Sequence, residues 1–198
     1  MKPKFARLIS SITATDAPPA LLFTIFLGAN DACFIGNREY VPLPQFSDNI
    51  RSFIEEILDH ASLEDAKIVL ITPPPINVPD PLPKDGDLLG PAFAKAAGEK
   101  NPKDDKGYRT WVSKKKYAER ILEIAKEYEK TSRVVGLDYW NKLERAALEE
   151  QGREGEEDED RWPGCGLPDA KEFGAGWFTD GLHLDKKASR DCAVSETC

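Results

Sequence analysis

Histidine and cysteine are both scarce in this 198-residue chain, with two and four copies respectively. Cys33, Cys165, Cys192 and Cys198 show no Cys-x-x-Cys spacing and no histidine cluster nearby, which argues against a zinc site. A disulfide framework is not expected at this chain length, and a reducing, cytoplasmic compartment fits the thiols best. No stretch approaches the roughly 18 apolar residues of a membrane span. Arg7 and two lysines precede the apolar stretch Ala20 to Ala29, the order of a signal peptide. Asp16, Pro18 and Pro19 interrupt the approach to it, however, and Asn30-Asp31 follows, so a buried strand is the better reading. No internal repeat is present.

Basic excess is absent too. The formal net charge is -8, and the segment from Glu149 to Arg161 holds eight acids against two arginines. Such a block reads as a solvated, mobile insertion. The rest is nearly neutral, so nothing calls for nucleic acid or an anionic membrane. With 40% hydrophobic and 31% charged residues, the chain suggests one globular domain with a real core.

Phe5 to Ile12 has helical spacing, and Leu21 to Leu27 is a continuous apolar run ending at Gly28. Runs of that kind belong to strands covered on both faces. Pro44 opens an amphipathic helix with Phe46, Ile50, Phe53, Ile54, Ile57 and Leu58 on one stripe, closed by His60 as a structural cation at the helix C-terminus. Lys67 to Thr72 is the next strand, stopped by Pro73-Pro74-Pro75. Residues 77–107 read as a long loop or insertion. Trp111 to Tyr128 is a second helix, with Tyr117, Ala118, Ile121, Leu122, Ala125 and Tyr128 inward. Arg133 to Leu137 is a third strand, and Asp138 caps a helix with Trp140, Leu143 and Ala147 on its apolar face. A second insertion is expected over 149–170. Alternating strands and helices specify an α/β parallel sheet.

Two short motifs carry chemistry. Gly28-Ala29-Asn30-Asp31 places a side-chain amide just past a strand, and Asp180-Gly181-Leu182-His183 sets an acid three residues before a histidine. An ester's tetrahedral intermediate needs donors aimed at its oxyanion. It also needs a neutral imidazole whose second nitrogen is held by a carboxylate. Asn30 and the Asp180–His183 pair supply these two parts. Each alone is also an ordinary turn.

Taken together and in order, the segments resemble a known family. Thr24 to Cys33 is similar to the third conserved block of the SGNH (GDSL-type) hydrolases, and most resembles the isoamyl acetate-hydrolysing esterases. Val41 to Phe46, Ile71 to Pro75 and Thr179 to Leu184 continue the similarity. The resemblance implies a flavodoxin-like three-layer α/β/α sandwich and hydrolysis of small carboxylic esters by a Ser-Asp-His triad, without cofactor or metal. It makes Asn30 an oxyanion donor, gives Gly28 and Asp31 the shaping of its loop, makes His183 the base and has Asp180 orient it.

The family's nucleophile lies in a Gly-Asp-Ser block at the end of its first strand, and a later block adds a glycine N–H. Neither is found here, and Ser10 and Ser11 sit in a helical pattern unsuited to the task. The segment 189–198 reads as an irregular tail where the family has a closing helix. The expectation is a partial SGNH domain over 1–188, lacking the first strands and the closing helix and inactive by itself. A non-catalytic pseudoenzyme or binding partner is the alternative. The strand at Leu21 to Leu27 should then have one bare edge, prone to self-association or aggregation.

Overall fold

The computed structural model describes residues 2–78, 109–155, 161–167 and 170–193. Three parallel strands, β1 (Leu22–Phe26), β2 (Lys67–Ile71) and β3 (Val134–Leu137), lie side by side in chain order. Leu22 stands opposite Lys67, and Ile68 opposite Val134. Among the described residues five α-helices accompany them: α1 (Lys2–Ile12), α2 (Leu43–Leu58), α3 (Trp111–Glu127), α4 (Tyr139–Glu150) and α5 (Lys186–Ala193). Helices α2 and α3 are the crossovers that parallel pairing requires.

The helix starts are chemically specified. Proline occupies the first turn of α2, where a missing N–H costs nothing. Thr110 and Ser113 form a reciprocal capping box at the start of α3, with both backbone-to-hydroxyl bonds at 3.0 Å. Asp138 caps α4 as expected, accepting from the Asn141 N–H at 3.1 Å.

Helices α2 and α3 cover one face of the sheet. Phe23, Ile25, Ile68, Leu70 and Val134 meet Phe46, Ile50, Ile54, Ile57, Ile121 and Ile124 in the main core. Gly136 allows the close approach of α3, since a Cβ there would stand 3.0 Å from the Ala125 methyl. The other face is met by α4 and the chain near Trp177, through Ile71 and an edge-on contact of Phe26 with Tyr139 at 5.9 Å. The result is α/β, a parallel sheet flanked by helices. No helix among the described residues is long and apolar enough to cross a membrane.

Several expectations are corrected. The apolar run Leu21 to Leu27 is not covered on both faces: Phe23 and Ile25 are buried, while Leu22 and Phe26 are 58% and 46% exposed. Helix α4 reaches Phe26 through Tyr139. His60 stands outside α2 and caps a 3-10 turn, its Nδ1 accepting from the Ser62 N–H, so it opens the next turn rather than closing the helix. The stretch read as a tail from 189 begins inside α5. Glu149 and Glu150 end α4 rather than opening a solvated loop, and Glu150 accepts from the Trp177 indole at 2.6 Å and from Lys187 at 2.5 Å. Within the expected second insertion, the Val78 N–H bonds the Gly164 carbonyl at 2.8 Å and Trp162 packs with Trp111 and Trp140. Most of the expected first insertion, and residues 156–160, lie outside the described residues.

Two ionisable side chains are fully buried behind the sheet's carboxyl end. Lys114 donates to the Pro75 carbonyl at 3.0 Å, and Glu144 accepts from the Trp111 indole at 2.7 Å. Burial pushes Glu144 up to about 8 and, with the Arg109 charge, Lys114 down to about 7. At neutral pH Glu144 is therefore largely neutral and Lys114 about half so. Between 4.5 and about 8 the folded chain keeps a Glu144 proton that the unfolded chain has lost, so this group's contribution to stability falls as pH rises. Lys114 works in the opposite sense between about 7 and 10.5. Glu144→Gln, which keeps the shape and cannot ionise, should gain on the parent chain between pH 5 and 8. The expected gain is at least ~1 kcal/mol, or ~2–4 °C in Tm. A difference in Tm that is the same at both pH values would refute the buried neutral acid.

Candidate active site

The first loop begins where β1 ends. Gly28 has φ +108°, a conformation that favours glycine, and a Cβ there would crowd Phe46 and Pro73 at 3.3 Å. Its N–H donates to Asp31 Oδ2 at 3.2 Å, and the Ala32 N–H returns to the Gly28 carbonyl at 3.1 Å. Asp31 is buried; burial raises its carboxyl above the ordinary value, against hydrogen bonds and the Arg109 charge. Asp31 thus holds the turn from inside, while Asn30 is exposed.

Arg109, just before the α3 cap, clamps this loop. Its Nε donates to the Ala29 carbonyl at 2.8 Å, and Nη2 donates to Asn30 Oδ1 at 3.2 Å, with the Glu39 carboxylate at 2.5 Å. A guanidinium only donates, so the atom of Asn30 facing it is the amide oxygen. The Asn30 NH2 is thereby turned to the opposite side. An amide whose oxygen is tied by a buried arginine is a donor already oriented before any substrate arrives.

The second loop is built around Asp180. One carboxylate oxygen accepts from the Leu182 and His183 N–H groups, both at 2.9 Å, and the other lies 2.7 Å from His183 Nδ1. Gly181 takes φ +85° to allow the turn. The Thr179 N–H closes it on the His183 carbonyl at 2.9 Å. Desolvation works to raise the Asp180 carboxyl, but the bonds from the His183 backbone, its ring and Leu182 outweigh this and hold it well below the ordinary range. A charged carboxylate against Nδ1 keeps the proton on that nitrogen and leaves Nε2 as the basic atom. The His183 side chain is 80% exposed.

Both loops rest on residues 72–78, the segment leaving β2. Pro73 packs under Gly28, and the Asn77 N–H donates to the Gly181 carbonyl at 2.9 Å. The structure therefore brings Asn30, Asp180 and His183 to the carboxyl end of the sheet, where open α/β folds place their ligands. Among the described residues no serine hydroxyl is hydrogen bonded to His183. Ser10 donates to Ala6 within α1, and Ser189 donates back to Asp185. Sequence reading missed Arg109 and Asn77. The capping signal at Thr110 marks where α3 begins, and so puts Arg109 at the sheet's carboxyl end, but no spacing rule names its partners 70 to 80 residues away.

A turn-borne amide and an acid–histidine pair at the carboxyl end of a parallel sheet are features of an acylhydrolase fold. The chain belongs to the GDSL-like lipase/acylhydrolase family, whose model matches residues 2–193. It is similar to the bovine (Bos taurus) isoamyl acetate-hydrolyzing esterase 1 homolog, with 36% identity over 72 residues, 35% of this chain and 28% of that protein. It is also similar to the Saccharomyces cerevisiae isoamyl acetate-hydrolyzing esterase, with 59% identity over 34 residues, 17% of this chain and 14% of that protein. The matches thus span under a third of either relative's length.

Arg109→Lys tests the clamp. A lysine keeps the charge but cannot bond the Ala29 carbonyl, Asn30 and Glu39 in one planar fork. Amide hydrogen exchange at Ala32 and Cys33, whose N–H groups bond back into this turn, should quicken at least ~10-fold, the equivalent of ~1.4 kcal/mol. Unchanged protection would show that the loop holds without the arginine.

Proposed function

We propose that this site performs the acid–base and oxyanion parts of carboxylic-ester hydrolysis on small acyl esters of the isoamyl acetate kind. The observation that carries the reading is the Asp180–His183 pair, at 2.7 Å, with the second carboxylate oxygen locked by two backbone N–H groups. The names and the local identity of the two relatives support the substrate class. Asp180 stays ionised and holds the Nδ1 proton. His183 Nε2 takes the proton from an attacking hydroxyl and returns it to the leaving alcohol. The Asn30 amide donates to the oxygen that becomes negative as the tetrahedral intermediate forms. Cys33, a buried free thiol, supports a reducing, cytoplasmic setting.

The hydroxyl nucleophile is not identified in this chain. We therefore expect the 198-residue polypeptide by itself to hydrolyse esters no faster than buffer. A second reading, a non-catalytic member that binds a partner, is favoured by one observation: the hydroxyls of Ser10, Ser47, Ser113 and Ser189 all donate to backbone carbonyls, none to His183. A short-chain nitrophenyl ester assay separates the cases. Turnover by the polypeptide that disappears in His183→Ala would reveal an unrecognised nucleophile. In a form supplied with a Gly-Asp-Ser strand and the glycine block, short-acyl esterase activity should appear. There Asn30→Ala should lower kcat by roughly 10²–10³ with a smaller change in KM. An unchanged kcat would remove Asn30 from the oxyanion hole, and a form that stays inert would favour the binding reading.

A further inference from the structure

The turn that carries Asp180 and His183 is the tip of a short hairpin. The Lys187 N–H bonds the Gly176 carbonyl at 3.0 Å, the Asp185 N–H bonds the Trp177 carbonyl at 2.9 Å, and Phe178 pairs antiparallel with Leu184. The Thr179 N–H closes the ladder on the His183 carbonyl. Asp180 then holds His183 through bonds made inside the turn, so the dyad's own geometry is local. Those bonds do not decide where the turn sits relative to Asn30, which arrives from β1 at the other end of the chain.

At the base of the hairpin one carboxylate engages both of its sides. Glu150, the last residue of α4, accepts from the Trp177 indole at 2.6 Å through Oε2 and from the Lys187 ammonium at 2.5 Å through Oε1. Trp177 lies on the outgoing side of the hairpin, and Lys187 stands in the first turn of α5, just past the returning side. The ammonium also lies 5.0 Å from the centre of the Trp177 ring, so acid, indole and amine close a triangle. Bonds from Lys187 and then Trp177 hold the Glu150 carboxyl below its ordinary range. The fit is close, since a Cβ on Gly174 would stand 3.4 Å from Glu150 Oε1. An exposed ion pair alone contributes little. Here the acid is shared with an indole whose ring is buried among Tyr139, Leu143, Ala147 and Phe173. Apolar packing of that ring is non-directional. Charge-assisted bonds to donors on both sides of the hairpin fix its direction as well.

We infer that Glu150 is a positioning residue for the acid–base chemistry proposed above, on which this role rests. By stapling the base of the hairpin to α4, it sets where His183 Nε2 stands relative to the Asn30 amide. Trp177 is three residues from Asp180, roughly 10 Å of extended chain, so a small pivot at the base is carried to the tip. At a reacting centre a displacement of about 1 Å can change the rate ~100-fold. The tip has its own anchor in Asn77, whose N–H bonds the Gly181 carbonyl at 2.9 Å. Staple and anchor together define one pose for the dyad.

Amide hydrogen exchange on the 198-residue chain separates positioning from general stabilisation. Glu150→Gln removes the charge and keeps an acceptor for one donor. Lys187→Met removes the ammonium and keeps an aliphatic stem over Trp177. Either should speed exchange of the Asp185 and Lys187 N–H groups, or of Asp185 and its neighbours at the base, and of the distant Asn77 N–H by at least ~5-fold. The Leu182 and His183 N–H groups, bonded inside the turn, should keep the parent rate. The double variant should add little to either single one, because both open the same staple. In the form supplied with the Gly-Asp-Ser strand and the glycine block, Glu150→Gln should lower kcat about tenfold while KM changes less than about twofold. If that form is inert before any substitution, the esterase reading fails, and the exchange pattern still decides whether Glu150 fixes the hairpin. Exchange at Asn77 that stays at the parent rate in both variants, exchange that quickens uniformly along the chain, or an unchanged kcat in the active form would each overturn the positioning role.

Discussion

Residues 72–78 leave the sheet through three prolines and yet remain almost entirely buried, with Thr72 and Ile76 at zero exposure. A buried backbone outside a ladder must still find partners for its polar groups, and at roughly 1–3 kcal/mol per orphaned group the fold cannot leave them unmet. The partners come from every later part of the chain. Thr72 bonds the Leu137 carbonyl through its N–H and receives the Trp140 N–H at its hydroxyl. Pro75 receives Lys114, Asn77 bonds Gly181 and exchanges two bonds with Phe173, and Val78 bonds Gly164. Meeting that one requirement also sets the His183 loop beside the end of β2 and packs Pro73 under Gly28. Site geometry is in this sense a by-product of satisfying a buried connection.

Charge is arranged on the same logic of burial. Deep behind the segment, burial disfavours the charged forms of both Lys114 and Glu144. At the rim, Asp180 is held ionised because three hydrogen bonds converge on it, even though its histidine is open to solvent. Between these layers Arg109 distributes its donors over two backbone carbonyls, an amide oxygen and a carboxylate.

β1 serves both the core and the candidate site. Its inner alternation supplies Phe23 and Ile25 to the core. Its carboxyl end delivers Gly28 and Asn30 to the site, while Leu22 is exposed.

The elements were largely legible from the residues. Apolar periodicity located α2, α3 and α4, Asp138 announced a cap, and the proline triplet marked the end of β2. These are local signals, in which each residue's own backbone preference and its neighbours three or four places away decide the outcome. Asp180 reaching His183 is local too, since three residues of one turn set it. What the residues could not disclose were relations across the chain. A continuous apolar run reads the same whether one face of the strand or both are covered, because coverage depends on elements distant in sequence. The acids at Glu149 and Glu150 read as loop, and only the packed position of Trp177 and Lys187 turned Glu150 into a tether. Arg109 meets Asn30 for the same reason: crossovers between parallel strands bring residues 79 apart into hydrogen-bond range. Sequence alone determined which residue types stand at each strand end and turn. Tertiary structure decided which of them share a site, because burying one proline-rich connection forces its polar groups to find partners far along the chain.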